Sequence, residues 1–241
     1  MSGHSKWATI RRKKGALDAK RGKIFTRLIR EITIAARQAG GDPEGNPRLR
    51  LAIDNAKAAN MPADNIERAI KKATGELEGS QITELTYEGY GPGGIAVLIE
   101  VATDNKNRTV AEVRHLFGKN GGNMGETGSV AWMFERKGMI TVKRENKSED
   151  EMMEIILEAG ADDLATEEDF FEVTTSLENF ESVRKTLVDK KLTVDNASLQ
   201  WVAKNLIQVK GEEAEKVMKL IEGIEESDDV QNVFTNADFV E

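Results

Sequence analysis

From Lys6 to Arg30 ten basic side chains (Lys6, Arg11, Arg12, Lys13, Lys14, Lys20, Arg21, Lys23, Arg27 and Arg30) stand against a single acid, Asp18. Such a cluster suits one kind of chemistry. Each ammonium or guanidinium set on a phosphate releases condensed counterions, which gives affinity for a polyanion without reading its sequence. Arginine adds a fork of donors that fits phosphate or the edge of guanine in a bidentate way. Trp7, beside Lys6, can stack on an unpaired base or wedge into a groove; a lone aromatic can equally be a buried anchor. The competing reading of the bases is a solubilising helix face, but ten bases to one acid is far from a balanced solvated surface. These residues, with Trp7, are the candidate nucleic-acid contacts.

The elements that must present them follow from periodicity. From Ala19 to Ala39, Ile24, Leu28, Ile32, Ala35 and Ala39 fall on one stripe at helical spacing, while Lys20, Lys23, Arg27, Arg30 and Arg37 gather on a different face. Gly40 and Gly41 predict the end of this helix, Asn46 and Pro47 the cap and first turn of the next, and Pro62 the opening of a third that runs to Gly75. Residues 3–15 have no clear apolar period and read as an arm able to order on a ligand.

After Gly79 the pattern changes to strands. "ITELTYEGY" and "IAVLIEVAT" flank "GPGG" and predict a hairpin. Helix and strand then alternate, with "SVAWMFE" read as a strand. The elements parse twice into the order βαββαβ, one copy over 138–202 and the other over 95–134 plus 205–235, with the first inserted in the second. A linear three-domain order is the competing parse, but each half-unit alone would leave a two-stranded sheet, which is rarely stable in water. The expected architecture is α+β and multidomain: an N-terminal three-helix domain (1–80) is followed by two ferredoxin-like α/β units, one discontinuous (81–135 plus 204–241) and one inserted (136–203).

Charge separates these parts. The chain of 241 residues carries a formal net charge of −8. Residues 1–80 hold 17 Lys+Arg against 9 Asp+Glu, a net of +8, so the remainder is net −16. Ser148 to Val183 contains thirteen acids and no base. That stretch repels phosphate, and reads either as a solvated face that orients the basic end toward nucleic acid or as a surface for a basic protein partner.

Several function classes drop out. There are no cysteines, which excludes disulfides, thiolate zinc sites and thiol nucleophiles, and two histidines, His4 and His115, are too few for most histidine metal sites. No apolar run approaches the roughly 20 residues of a membrane span, and the basic N-terminus lacks the apolar stretch of a signal peptide, so a cytoplasmic protein without membrane attachment is expected. "FGKNGGNMGETGS" lacks the lysine and hydroxyl ending of a phosphate loop and precedes a strand, so it reads as a connection. In "TDNKNRT", Asp104, Asn105, Asn107 and Arg108 are either site residues or a cap supplied by Asn107. Neither a cofactor, a metal nor a small-molecule substrate is implied, and a hydrolase or transferase using junction carboxylates is the remote alternative.

The strings "GHSKWATIRRKKGALDAKRGKIFTRLIREI", "NMPADNIERAIKKATGE", "YEGYGPGG", "TDNKNRTVAEVRH" and "GSVAWMFERKG" resemble successive signatures of the YebC family, across essentially the whole chain. The resemblance implies a cytoplasmic three-domain protein with one α/β domain inserted in another. It implies a regulator of gene expression: a DNA-binding transcriptional regulator or, as in relatives tied to translation, a factor acting on ribosomal RNA at stalled ribosomes.

Overall fold

The computed structural model describes residues 19–78, 81–145 and 147–240, the first three of them by backbone alone. Helix α1 (Ala19–Ala39) stops at Gly40, whose φ of 92° lies in the left-handed region. Helices α2 (Pro47–Ala58) and α3 (Ala63–Ala73) follow from Asn46 and Pro62. Asn46 does more than cap. Its Oδ1 accepts the Leu49 amide at 3.1 Å, and its Nδ2 donates to the carbonyls of Ala35 (2.8 Å) and Gly40 (2.9 Å). One buried amide therefore satisfies unpaired groups at the end of α1 and at the start of α2.

The three helices close on Ile32, Ala35, Leu49, Ala52, Ala56 and Ile66. The ends of the expected stripe fall outside this core: Ile24 is 46% exposed and Ala39 is exposed. Length explains this. The 21 residues of α1 span about 31 Å, whereas the 12 of α2 span about 18 Å, so the partners cover only the middle of α1.

Strands β1 (Thr83–Tyr90) and β2 (Ala96–Thr103) form the expected antiparallel hairpin, Thr83 opposite Thr103 and Tyr90 opposite Ala96. Helix α4 (Lys106–Lys119) and the two-residue β3 (Asn123–Met124) come next. The chain then enters β4 (Phe134–Lys143), α5 (Glu149–Ala159), β5 (Asp163–Thr166), β6 (Phe170–Thr175), α6 (Phe180–Asp189) and β7 (Val194–Ala203). It closes with β8 (Ile207–Val209), α7 (Gly211–Glu226), β9 (Val230–Thr235) and β10 (Ala237–Phe239).

Two compact units emerge. Arg136–Val202 forms one, and the described residues up to Glu135 join those from Ala203 onward in the other, which holds both the three N-terminal helices and the discontinuous α/β part. In the first unit the sheet order is β5-β6-β4-β7, the first strand lying between the third and fourth as in a ferredoxin-like unit. In the second unit the order is β3-β1-β2-β9, and β8 pairs with β10 in a separate parallel ribbon. The βαββαβ pattern predicts a place in the main sheet for the segment from Asn205. The hairpin explains the difference: β1 takes one edge of β2 in a register fixed by the turn, β9 takes the other, and no edge of β2 remains for β8.

The segment 129–135 also departs from the expected strand. Ala131–Met133 is a 3₁₀ turn, because the carboxylate of Glu88 accepts the amides of Gly128 (2.7 Å), Val130 (2.7 Å) and Ala131 (2.8 Å) and withdraws them from any ladder. Extended backbone resumes at Phe134.

Gly138 on β4 pairs with Thr175 on β6, and a Cβ at Gly138 would collide with the Phe180 ring and the Thr175 hydroxyl. Gly138→Ala is expected to cost about 1–3 kcal/mol, the usual penalty of an overpacked core. The check is a urea titration in which the midpoint falls while the slope stays unchanged.

Candidate nucleic-acid interface

Lys6, Trp7, Arg11, Arg12, Lys13 and Lys14 lie outside the described residues. Lys20 and Arg21 fall in the first turn of α1. Lys23, Arg27 and Arg30 recur every three or four residues and so share a face of that helix. The structure brings all three to one place, the C-terminal end of α7. Lys23 Nζ donates to the Glu226 carbonyl at 2.9 Å and Arg27 Nη2 to the Glu225 carbonyl at 2.8 Å. Arg30 Nη1 donates to the Ala102 carbonyl at 2.7 Å and also to that of Asp228. The last carbonyls of a helix lack intrahelical partners and carry the negative end of its dipole. Helix α7 has no base in its last turn, and α1 supplies the missing cations.

Arg30 also meets a buried acid. Its Nη2 lies 3.0 Å from Asp229 Oδ1, and the Asp229 side chain is only 4% exposed. Oδ2 of Asp229 accepts Arg108 Nη2 at 2.7 Å, Thr109 Oγ1 at 2.7 Å and Thr103 Oγ1 at 3.0 Å. Burial by itself pushes the Asp229 carboxyl up, but the hydrogen bonds from Arg108, Thr109 and Thr103 and the charge of Arg30 outweigh it and hold the group below the usual aspartate value. A second tie joins helices to sheet: Arg48 pairs with Glu31 on α1 at 2.8 Å and Glu84 on β1 at 2.6 Å. Burial opposes the charge on Arg48, yet the bonds to Glu84 and Glu31 raise its pKa above the ordinary arginine value.

Residues of "TDNKNRT" belong to the same network. The cap of α4 is Asn105, whose side chain accepts the Arg108 amide at 3.1 Å, rather than Asn107. Arg108 bridges Asp104 at 3.1 Å and Asp229. His115 sits exposed on α4. The glycine-rich loop directs its amides inward, at Glu88: burial pushes that carboxyl up, and the three amides more than compensate and hold it low. Arg68 and Lys72, one turn apart and exposed on α3, add positive surface that the sequence reading did not single out.

Sequence reasoning missed Asp229 and Glu88. Asp229 sits in "ESDDV", where neighbouring acids make it look like a solvated turn. Glu88 carried a faint signal, an acid between the aromatic residues of a strand.

Residues 5–76 match the family described as the TACO1/YebC protein N-terminal domain, and residues 82–237 that described as the TACO1/YebC second and third domain. A probable transcriptional regulatory protein of Chloroherpeton thalassium is 56% identical, covering 100% of this chain and 97% of its own length. One from Koribacter versatilis is also 56% identical, with coverages of 99% and 96%. The crystal structure of a conserved hypothetical protein from Aquifex aeolicus superposes with a TM-score of 0.88 at 48% identity, over 93% of each chain.

Asp229→Ala is expected to cost about 3 kcal/mol, because it leaves the part-buried Arg30 without its carboxylate and Arg108 with Asp104 as its remaining acid. The native carboxyl titrates below its unfolded value, so its contribution is complete above about pH 4 and disappears as the pH falls through the native value. Urea midpoints of wild type and variant should therefore differ at neutral pH and converge in acid; a gap that persists undiminished at about pH 2 would refute the assignment.

Proposed function

The chain belongs to the TACO1/YebC family, and on that premise we propose that it is a non-enzymatic, nucleic-acid-binding regulator of gene expression, acting in the cytoplasm as a DNA-binding transcriptional regulator. The observation that carries the reading is the run of ten bases against one acid between Lys6 and Arg30 on a chain that is otherwise net acidic. The names of the curated relatives, probable transcriptional regulatory proteins, support the same class. Asp229 and Glu88, the buried acids among the described residues, are each saturated by internal donors, so neither is available as a general base.

Within the run the labour divides. Lys23, Arg27 and Arg30 engage α7 and Asp229, and this fixes where α1 points. Phosphate contact then falls to Lys6, Arg11, Arg12, Lys13, Lys14, Lys20 and Arg21, with Trp7 beside them. Contacts of this kind position a protein on the backbone and do not specify a base sequence.

With about six phosphates engaged, log affinity for duplex DNA should fall against log salt with a slope of about −5. Changing Arg11, Arg12, Lys13 and Lys14 to Ala should reduce the slope by about one unit per lost contact and weaken binding alike on unrelated sequences. Lys23→Ala and Arg27→Ala should lower thermal stability and leave the slope within about one unit of wild type. Salt titrations on duplex DNA and on ribosomes check this. An unchanged slope in the quadruple variant on both ligands would dismiss the basic run as the binding surface. Loss on ribosomes alone, with no measurable DNA affinity, would replace transcription by translation as the process regulated.

A further inference from the structure

One aromatic ring is unexplained by packing. Trp132, on the 3₁₀ turn Ala131–Met133, is 65% exposed, while its neighbours Val130 and Phe134 are buried. The ring is not loosely held. Its Nε1 donates to the Ser129 carbonyl at 3.0 Å, and the same carbonyl accepts the Tyr90 hydroxyl at 2.9 Å. The turn is pinned from beneath by the Glu88 carboxylate through the amides of Gly128, Val130 and Ala131. From the side, Lys204 Nζ donates to the Trp132 carbonyl at 2.9 Å and the Lys204 amide to the Met133 carbonyl at 2.9 Å. The polar edge of the indole is thus satisfied internally and its apolar face is left to solvent on a rigid mount.

We propose that Trp132 is a stacking platform for an unpaired nucleobase, a second nucleic-acid contact separate from the basic run; the proposal rests on the nucleic-acid-binding reading above. A flat base needs only the face of an aromatic ring, and such stacking tolerates any sequence. A protein partner would need more. Interface anchors are ringed by contacts that exclude water, yet the preceding loop exposes Asn123, Glu126, Thr127 and Gly128, which are polar or lack a side chain. Lys204, exposed and held against the turn, supplies a cation for the adjoining backbone. Glu126 and Glu135 are also exposed, so the base rather than a dense row of phosphates is the group the site recognises. The pinned turn means the ring is oriented before the ligand arrives, which reduces the ordering cost of binding.

The test compares wild type, Trp132→Ala and Trp132→Phe in the full chain. The probes are fluorescently labelled 20-nucleotide single strands of deoxythymidine and of deoxyadenosine, and a mixed-sequence duplex of 20 base pairs. Trp132→Ala should weaken single-strand binding about 5- to 150-fold, change duplex binding less than about twofold and leave the melting temperature unchanged, while Trp132→Phe should retain most of the affinity. The difference in emission between wild type and Trp132→Phe should also be quenched and shielded from iodide by the single strand. Equal loss on single strand and duplex would overturn the proposal, since the ring would then serve the general binding surface. Unchanged affinity in Trp132→Ala would overturn it and leave the ring to a protein partner. A wild type that binds duplex but neither single strand would overturn it while sparing the proposed function, whereas a wild type that binds no nucleic acid would remove both.

Discussion

Asp229 is the charge on which the larger unit turns. It stands just before β9 and gathers Arg30 from α1, Thr103 from the end of β2, and Arg108 and Thr109 from the start of α4. A buried carboxylate is costly unless its lone pairs are met, so these four groups are not optional neighbours; the acid stays ionised only if all the elements that carry them converge. The requirement ties α1 and α4 to the sheet through one carboxylate. Arg48 on α2, bridging Glu31 and Glu84, repeats the device in a more exposed setting where a pair contributes less.

The same contacts account for a basic N-terminal segment on an acidic chain. Helix α7 ends in Glu225 and Glu226 and is followed by Asp228, so its C-terminus combines a negative dipole end with negative side chains. No cation on α7 itself relieves this. Lys23, Arg27 and Arg30 do so from α1, and these bonds set the orientation of that helix. One charge pattern is thereby divided: its C-terminal portion holds the fold together, and its N-terminal portion is the part proposed to meet phosphate.

Glu88 shows why a glycine-rich loop with several convergent amides need not bind phosphate. An anion already occupies them, and it belongs to the protein. The loop gains rigidity from the arrangement, as a carboxylate accepting three amides is among the stronger neutral-to-charged hydrogen-bond sets available in a protein. That rigidity is what allows a large aromatic such as Trp132 to be displayed instead of folding back onto the nearest apolar surface.

Features governed by interactions within a few residues were legible in the sequence. The extent of α1 and its stop at Gly40, the Asn46 cap and the hairpin around Pro92–Gly94 all follow from period, turn residues and side chain to backbone bonds over about four positions. The family resemblance was legible for the same reason, since it rests on contiguous strings. What tertiary structure alone decided depends on partners far apart in the chain. Arg30 lies 198 residues from Asp228, Thr103 lies 126 from Asp229, and Glu88 meets amides 40 to 43 residues away, so no local pattern could show that these charges face inward. The displacement of β8 from the main sheet is of this kind too: composition permits a strand at Ile207–Val209, but which edge it finds depends on the edges that β1 and β9 have already occupied. Charge and periodicity are properties of a segment, whereas burial and pairing are properties of the space the whole chain encloses.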